Sequence, residues 1–264
     1  HQTLRSAIAW SYALLSEPEQ RLFRQLGSFP QSFSLELVEA VCHYWAPDGV
    51  LDLLSALDEH ALIHADGSGP EDAGRFAMLV SIREFALEQS RAANELESTE
   101  NQLTQAITAF VARHAADLTG PNQAEAMAAL AAERLTTRAV LERATAHGDT
   151  DTSLQLIGGL WRFWTSRGLF LEGRGLIDRA FAGQIVQPTA AWGRALRGAA
   201  VIAEIQSDWV TARAWGTAAL QIWETLGDTA QIANAWIDFG NVHSTAGELD
   251  AARGAHAHDA HRAP

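Results

Sequence analysis

Lysine is absent, and all 19 basic residues of the 264-residue chain are arginines. That excludes a phosphate-binding loop of the G-x-x-x-x-G-K-[ST] type, whose lysine sits on the phosphates, and Schiff-base catalysis, which needs a lysine amine. A single cysteine, Cys42, excludes an internal disulfide and fits a reducing cytoplasm. No apolar run is long enough to span a bilayer, and no signal-peptide pattern is present. Positive charge is scarce overall. The formal net charge of -13 argues against a general nucleic-acid or anionic-membrane surface, because phosphate binding needs clustered cations. There is no Ser-His-Asp arrangement and no glycine-rich nucleotide loop. Paired carboxylates such as Glu36/Glu39 and Glu84/Glu88 fall at the spacing of solvated helical faces. No catalytic residue, cofactor site or metal site is therefore expected within these residues.

What is present is core-forming: 47% of the residues are hydrophobic, ample for one large domain or two modest ones. Thr3 is placed to cap a first helix to about Leu14, with Leu4, Ile8, Leu14 and Leu15 as its apolar stripe. Ser16-Glu17-Pro18-Glu19 is a capping box that opens a second helix carrying Leu22, Phe23 and Leu26, ended by Gly27 and Pro30. Ser34 opens a third helix through about Cys42, and Asp48 a fourth through about Leu57. The period then changes to that of a strand at Ala61–Ala65, with turn chemistry over 66–70 and a returning strand at Arg75–Leu79 that runs straight into a helix. Helices, a hairpin and a final helix predict a winged-helix domain over 1–99.

From about residue 100 the pattern is helical, with a repeat near 40 residues. Phe170 matches Trp209, Gly173 matches Ala212, Arg174 matches Arg213 and Ala180 matches Ala219, each 39 apart; Ala195 matches Ala235 and Leu196 matches Trp236, each 40 apart. Small residues fall where paired helices must approach, and a large apolar residue follows each turn. This predicts a tetratricopeptide-like solenoid over 100–264 and a mainly α protein. The chain opens within a helical pattern at His1, and the last repeat stops near Ala260 without an evident capping helix, so truncation at both ends is expected.

Thr3 to Leu15 followed by Glu19 to Leu26, then Phe76-Ala77-Met78-Leu79 with Ile82 to Glu88, then Trp161-Arg162-Phe163-Trp164 with Gly168, Glu172, Gly173 and Arg174, resembles bacterial STAND-class (NB-ARC-like) ATPase regulators. These include large LuxR-type and SARP-type transcriptional regulators, and the resemblance covers most of the chain. It implies an upstream nucleotide-binding domain that holds ATP or ADP, a winged helix that keeps it closed, and helical repeats that sense a protein or small-molecule inducer. Related switch proteins carry Met-His-Asp where this chain has Met78-Leu79-Val80. Leu79 stands in place of the His that touches the diphosphate, so that contact is not carried over. The alternative is a stand-alone tetratricopeptide-repeat scaffold with no switch attached.

Direct nucleic-acid contact is not expected. The fourth helix carries Asp48, Asp52 and Asp58 without an arginine, and the wing offers only Arg75 against Asp66, Glu71 and Asp72. The segment from Trp161 to Arg213 is instead locally basic, with Arg162, Arg167, Arg174, Arg179, Arg194, Arg197 and Arg213 interleaved with aromatics. Arg and Trp dominate binding hot spots, so Arg162, Trp164 and Arg174 are the candidate partner-binding residues. The bland account of the same residues is inter-helix packing and salt bridges. His256, His258 and His261 have the chemistry of metal ligands but lie in a tail-like sequence, and His60 and His64 would share a strand face. Cys42, on an apolar helix side, reads as a buried structural thiol.

Overall fold

The computed structural model describes residues 2–42, 45, 49–67 and 74–245, and it is mainly helical with one small sheet. Contacts divide the chain into two compact units, His1–Phe110 with Ala128–Val140, and Val111–Met127 with Leu141–Pro264; the division falls inside three helices.

In the first unit α1 (Gln2–Leu14), α2 (Glu17–Leu26), β1 (Ser32–Ser34), α3 (Leu35–Cys42), α4 (Val50–Glu59), β2 (His64–Ala65), β3 (Arg75–Ala77) and α5 (Val80–Ala92) follow in order, then the start of α6 (Leu96–Asp117). Helix, strand, two helices and two strands is a winged-helix order, and the sheet runs β1-β3-β2 with both pairings antiparallel. Phe33 faces Phe76 across the register, and its ring lies 5.2 Å from Phe29 and 6.4 Å from Phe76. With Leu22, Phe23, Leu26, Leu37, Val38, Leu54 and Leu57 these rings fill the core. The capping box forms as predicted: the Ser16 backbone N–H donates to Glu19 Oε2 at 2.7 Å.

Several local expectations are corrected. β1 was not anticipated. Thr3 lies within α1 rather than capping it, and of the predicted stripe only Ile8 and Leu15 are buried; Leu4 and Leu14 face solvent, as does Trp10, which is 68% exposed. The strand expected from Ala61 begins only at His64, because 60–62 complete the end of α4. The Ala61 N–H donates to Asp58 O at 2.8 Å and the Leu62 N–H to Leu57 O at 2.9 Å, the paired bonds of a Schellman motif. His60 is the C-cap of that helix, so it shares no strand with His64. Gly27 ends α2 in a right-handed conformation; the reason for glycine there is space, since a Cβ would come 3.0 Å from Ala86 Cβ on α5. Asp48, most of the wing and the tail histidines lie outside the described residues.

The second unit is built from α9 (Thr150–Ser166), α10 (Phe170–Phe181), α11 (Ala190–Ile205), α12 (Trp209–Leu226) and α13 (Thr229–Thr245); α7 (Gln123–Ala132) and α8 (Arg134–Ala146) precede them. Three-residue turns join α9 to α10 and α11 to α12, which makes each pair an antiparallel hairpin. α11 packs on α9, α10 and α12, and α12 on α13.

Candidate interaction surfaces

The array is set by local signals that recur. Asp149, Thr189, Asp208 and Asp228 accept from the backbone N–H three residues on, at Thr152, Trp192, Thr211 and Gln231. Phe170 and Trp209 are the first residues of α10 and α12, so the repeat read in the sequence places matched residues at matched helix positions. Gly173 and Ala212 are buried at equivalent places, as are Ala180 and Ala219. Tryptophans sit where glycine lets them. A Cβ on Gly198 would lie 2.5 Å from Trp161 Cγ, one on Gly193 2.5 Å from Trp223 Cζ2, and one on Gly173 2.9 Å from Trp164 Cε3. A ring pressed onto bare backbone gains contact area that a side chain would block.

The three candidate partner-binding residues have different surroundings. Trp164 is 2% exposed and seated on Gly173, part of the packing. Arg162 holds its guanidinium 4.0 Å over the Trp161 ring, and Arg197 approaches the same ring at 5.8 Å. Arg174 lies in an ion-pair network. Its Nε donates to both Asp178 carboxylate oxygens at 2.9 and 3.0 Å, its Nη2 to Asp208 Oδ2 at 2.9 Å, and its face lies 5.1 Å from the Trp215 ring. Asp208 thus accepts from Arg174 and caps α12 at once. The hydrogen bonds from Thr211 and from Arg174 hold its carboxyl below the usual range. Sequence reading missed Asp208; the signal was there, an Asp three residues before a Thr at the foot of a helix. Leu171 and Val210, second residues of α10 and α12, project almost fully into solvent.

On the winged helix, α4 presents Leu51, Asp52, Ser55, Asp58 and Glu59 outward. Arg75 is buried rather than displayed. Its guanidinium bonds Glu133 through Nη1, and Nη2 donates to Ser32 Oγ at 3.0 Å and Ala132 O at 3.1 Å. Thr136 Oγ1 donates to the second Glu133 oxygen at 3.3 Å. No sequence pattern joins two residues 58 positions apart, so Glu133 went unread. Cys42 is buried as expected; its thiol donates to Gln25 Oε1 at 3.3 Å, and burial, only partly opposed by Arg21, pushes its pKa up to about 12. Arg24 is equally enclosed, donating to both oxygens of Glu95 and to the Tyr12 hydroxyl. Among the described residues no helix is long and apolar enough to cross a membrane.

Over 251 residues the chain is 29% identical to proteins whose names carry the words HTH-type transcriptional regulator, one from Mycobacterium bovis and two from strains of Mycobacterium tuberculosis. The match takes in 89% of this chain and 27% of each of those proteins, so the chain spans about a quarter of the length of the curated relatives it matches. No family profile and no solved structure matches it.

Proposed function

We propose that this chain is the regulatory arm of a longer transcriptional regulator of the STAND ATPase type. In this reading the winged helix restrains a nucleotide-binding domain elsewhere in the protein, and the tetratricopeptide-like repeats take up a protein or small-molecule inducer. The observation that carries it is the extent of the similarity: 89% of the chain aligns with only 27% of each transcriptional regulator, which is therefore more than three times its length. A winged-helix element order followed by a repeat array supports the same reading. ATP or ADP belongs to the other domain, and this segment does no chemistry of its own. It works in the cytoplasm as a restraint and a sensor. Moving a switch from almost wholly closed to almost wholly open takes about 5.5 kcal/mol of differential binding, which an extended repeat surface is suited to supply.

DNA contact falls to another part of the regulator. Affinity for the phosphate backbone comes mainly from cations that neutralise it, whereas α4 turns Asp52, Asp58 and Glu59 outward and Arg75 is taken up by Glu133. Two measurements test the reading. The full-length gene product is expected to purify with bound adenine nucleotide, and removal of the repeats is expected to change the ADP dissociation rate about 10-fold or more. A full-length product that binds no nucleotide sinks the switch and leaves a scaffold. Titration of the present chain with duplex DNA between about 50 and 200 mM salt is expected to be flat, whereas a steep loss of affinity over that range would assign DNA contact to it.

A further inference from the structure

We propose that the Arg75–Glu133 pair is a latch: it fastens the segment 128–140 to the winged-helix sheet, and this segment opens and closes as a unit while the sheet and core stay folded. The pair joins β3 to the junction of α7 and α8, and both side chains are almost fully withdrawn from water, 3% and 2% exposed. Among the described residues, its polar partners come from the two pieces it joins. Ser32 on β1 accepts from Arg75 on the sheet side, while on the helical side the Ala132 carbonyl accepts from Arg75 and Thr136 donates to Glu133.

The composition of the segment is what makes this a latch rather than ordinary core. Its buried residues are Leu130, Glu133, Thr136, Thr137 and Val140, so three of the five are polar. Thr137 Oγ1 is buried without a hydrogen-bond partner. Such a segment adds little apolar burial, and a buried ion pair contributes little net stability compared with a well-packed apolar pair. It does enforce one register, because separating the partners leaves a charge uncompensated. The sheet behind it is held independently by Phe29, Phe33, Leu37, Leu54 and Leu57, all essentially inaccessible. A polar attachment on an apolar body is the arrangement in which local opening costs less than global unfolding. The closed latch also withdraws the one arginine of the three strands.

The test is hydrogen exchange resolved along the intact chain. In Glu133→Gln the fold of the pair is kept but Arg75 loses its counter-charge, and exchange over 128–140 is expected to rise on the order of 100-fold while peptides spanning Leu22–Leu26 and Leu54–Leu57 keep their protection. Unchanged exchange over 128–140, or an equal rise in the core peptides, overturns the proposal. Should Glu133→Gln fail to fold, the double variant Arg75→Met/Glu133→Leu replaces the latch by an apolar joint. It is expected to fold and to protect 128–140 at least as well as the native pair. Faster exchange there than in the native chain overturns the proposal.

Discussion

The two units differ in where their aromatic residues find backbone to pack on. In the winged helix, phenylalanine and tyrosine meet one another: Phe29 and Phe33 at 5.2 Å, Tyr12 and Phe23 at 5.2 Å, Tyr12 and Phe85 edge-on at 5.7 Å. In the array, beside the ring pairs of Phe181 with Trp192 at 5.2 Å and Trp215 at 5.7 Å, three tryptophans meet glycine: Trp161 on Gly198, Trp164 on Gly173, Trp223 on Gly193. Ring-on-ring packing fills the interior of one closed core. Ring-on-backbone packing sets the distance between neighbouring helices, and so suits a structure built by adding hairpins. The first arrangement is damaged most by removing volume and the second by adding it.

The largest effect is expected where volume is removed from the closed core. Phe33→Ala deletes a fully buried ring between Phe29 and Phe76, and the loss should be about 3–5 kcal/mol. Measured by peptide-resolved hydrogen exchange, it should weaken protection over α2, α3 and α4. An undiminished sheet would show that the Phe cluster is not the centre of that unit. The converse variant adds a single methyl to the array. Gly193→Ala brings a Cβ within 2.5 Å of the Trp223 ring, which cannot stay where it is, and about 1–3 kcal/mol should be lost from α11 and α12. In a Trp223→Leu background the added methyl should cost much less, since the two changes share one contact. Strict additivity in thermal denaturation would argue against the seat.

The array was the more legible unit for a physical reason. A repeat prints its geometry several times, so Gly173 and Ala212, or Phe170 and Trp209, can be aligned without knowing any distance. The same pattern makes Trp164 both a packing plug and a binding candidate, and in the structure it lies in the packing at 2% exposure. In the winged helix the capping box of α2 and the apolar side of α3 were readable because each is local. β1 was not, because three residues with one buried Phe carry no alternation to read. Nor was Glu133, whose partner is decided by the tertiary fold alone.

A smaller change probes the caps that repeat along the array. Asp208 accepts the Thr211 N–H at 3.2 Å and an Arg174 Nη2 bond at 2.9 Å. Asp208→Ala should cost about 1 kcal/mol through the lost cap, and Asp208→Asn less, because the amide oxygen still caps α12. The pH dependence follows from the direction of its shift. The folded carboxyl is held below its ordinary value, so its contribution is present above the ordinary carboxylate range and is lost as pH falls through the lowered folded value. Denaturant midpoints of wild type and Asp208→Ala should therefore differ near neutrality and converge in acid. A difference that persists in acid would mean that the side chain acts by packing.

The smallest expected effect is a gain, and it lies where the strand reading failed. Ala61 adopts φ 55° to close the end of α4, a left-handed conformation that costs an L-residue with a Cβ about 1–2 kcal/mol. The two bonds it closes, Ala61 N–H to Asp58 O and Leu62 N–H to Leu57 O, use backbone atoms only, and the Ala61 methyl is exposed, so nothing in the packing asks for alanine. Ala61→Gly keeps both bonds and relieves the strain, while the freer unfolded chain takes back part of the gain. A net stabilisation of about 0.5–1 kcal/mol is expected in denaturant titration, confined to the winged helix by exchange over α4 and β2. A loss of stability instead would mean that residues 61–65 prefer the extended conformation that their alternation suggests, with the helix end imposed on them at a cost.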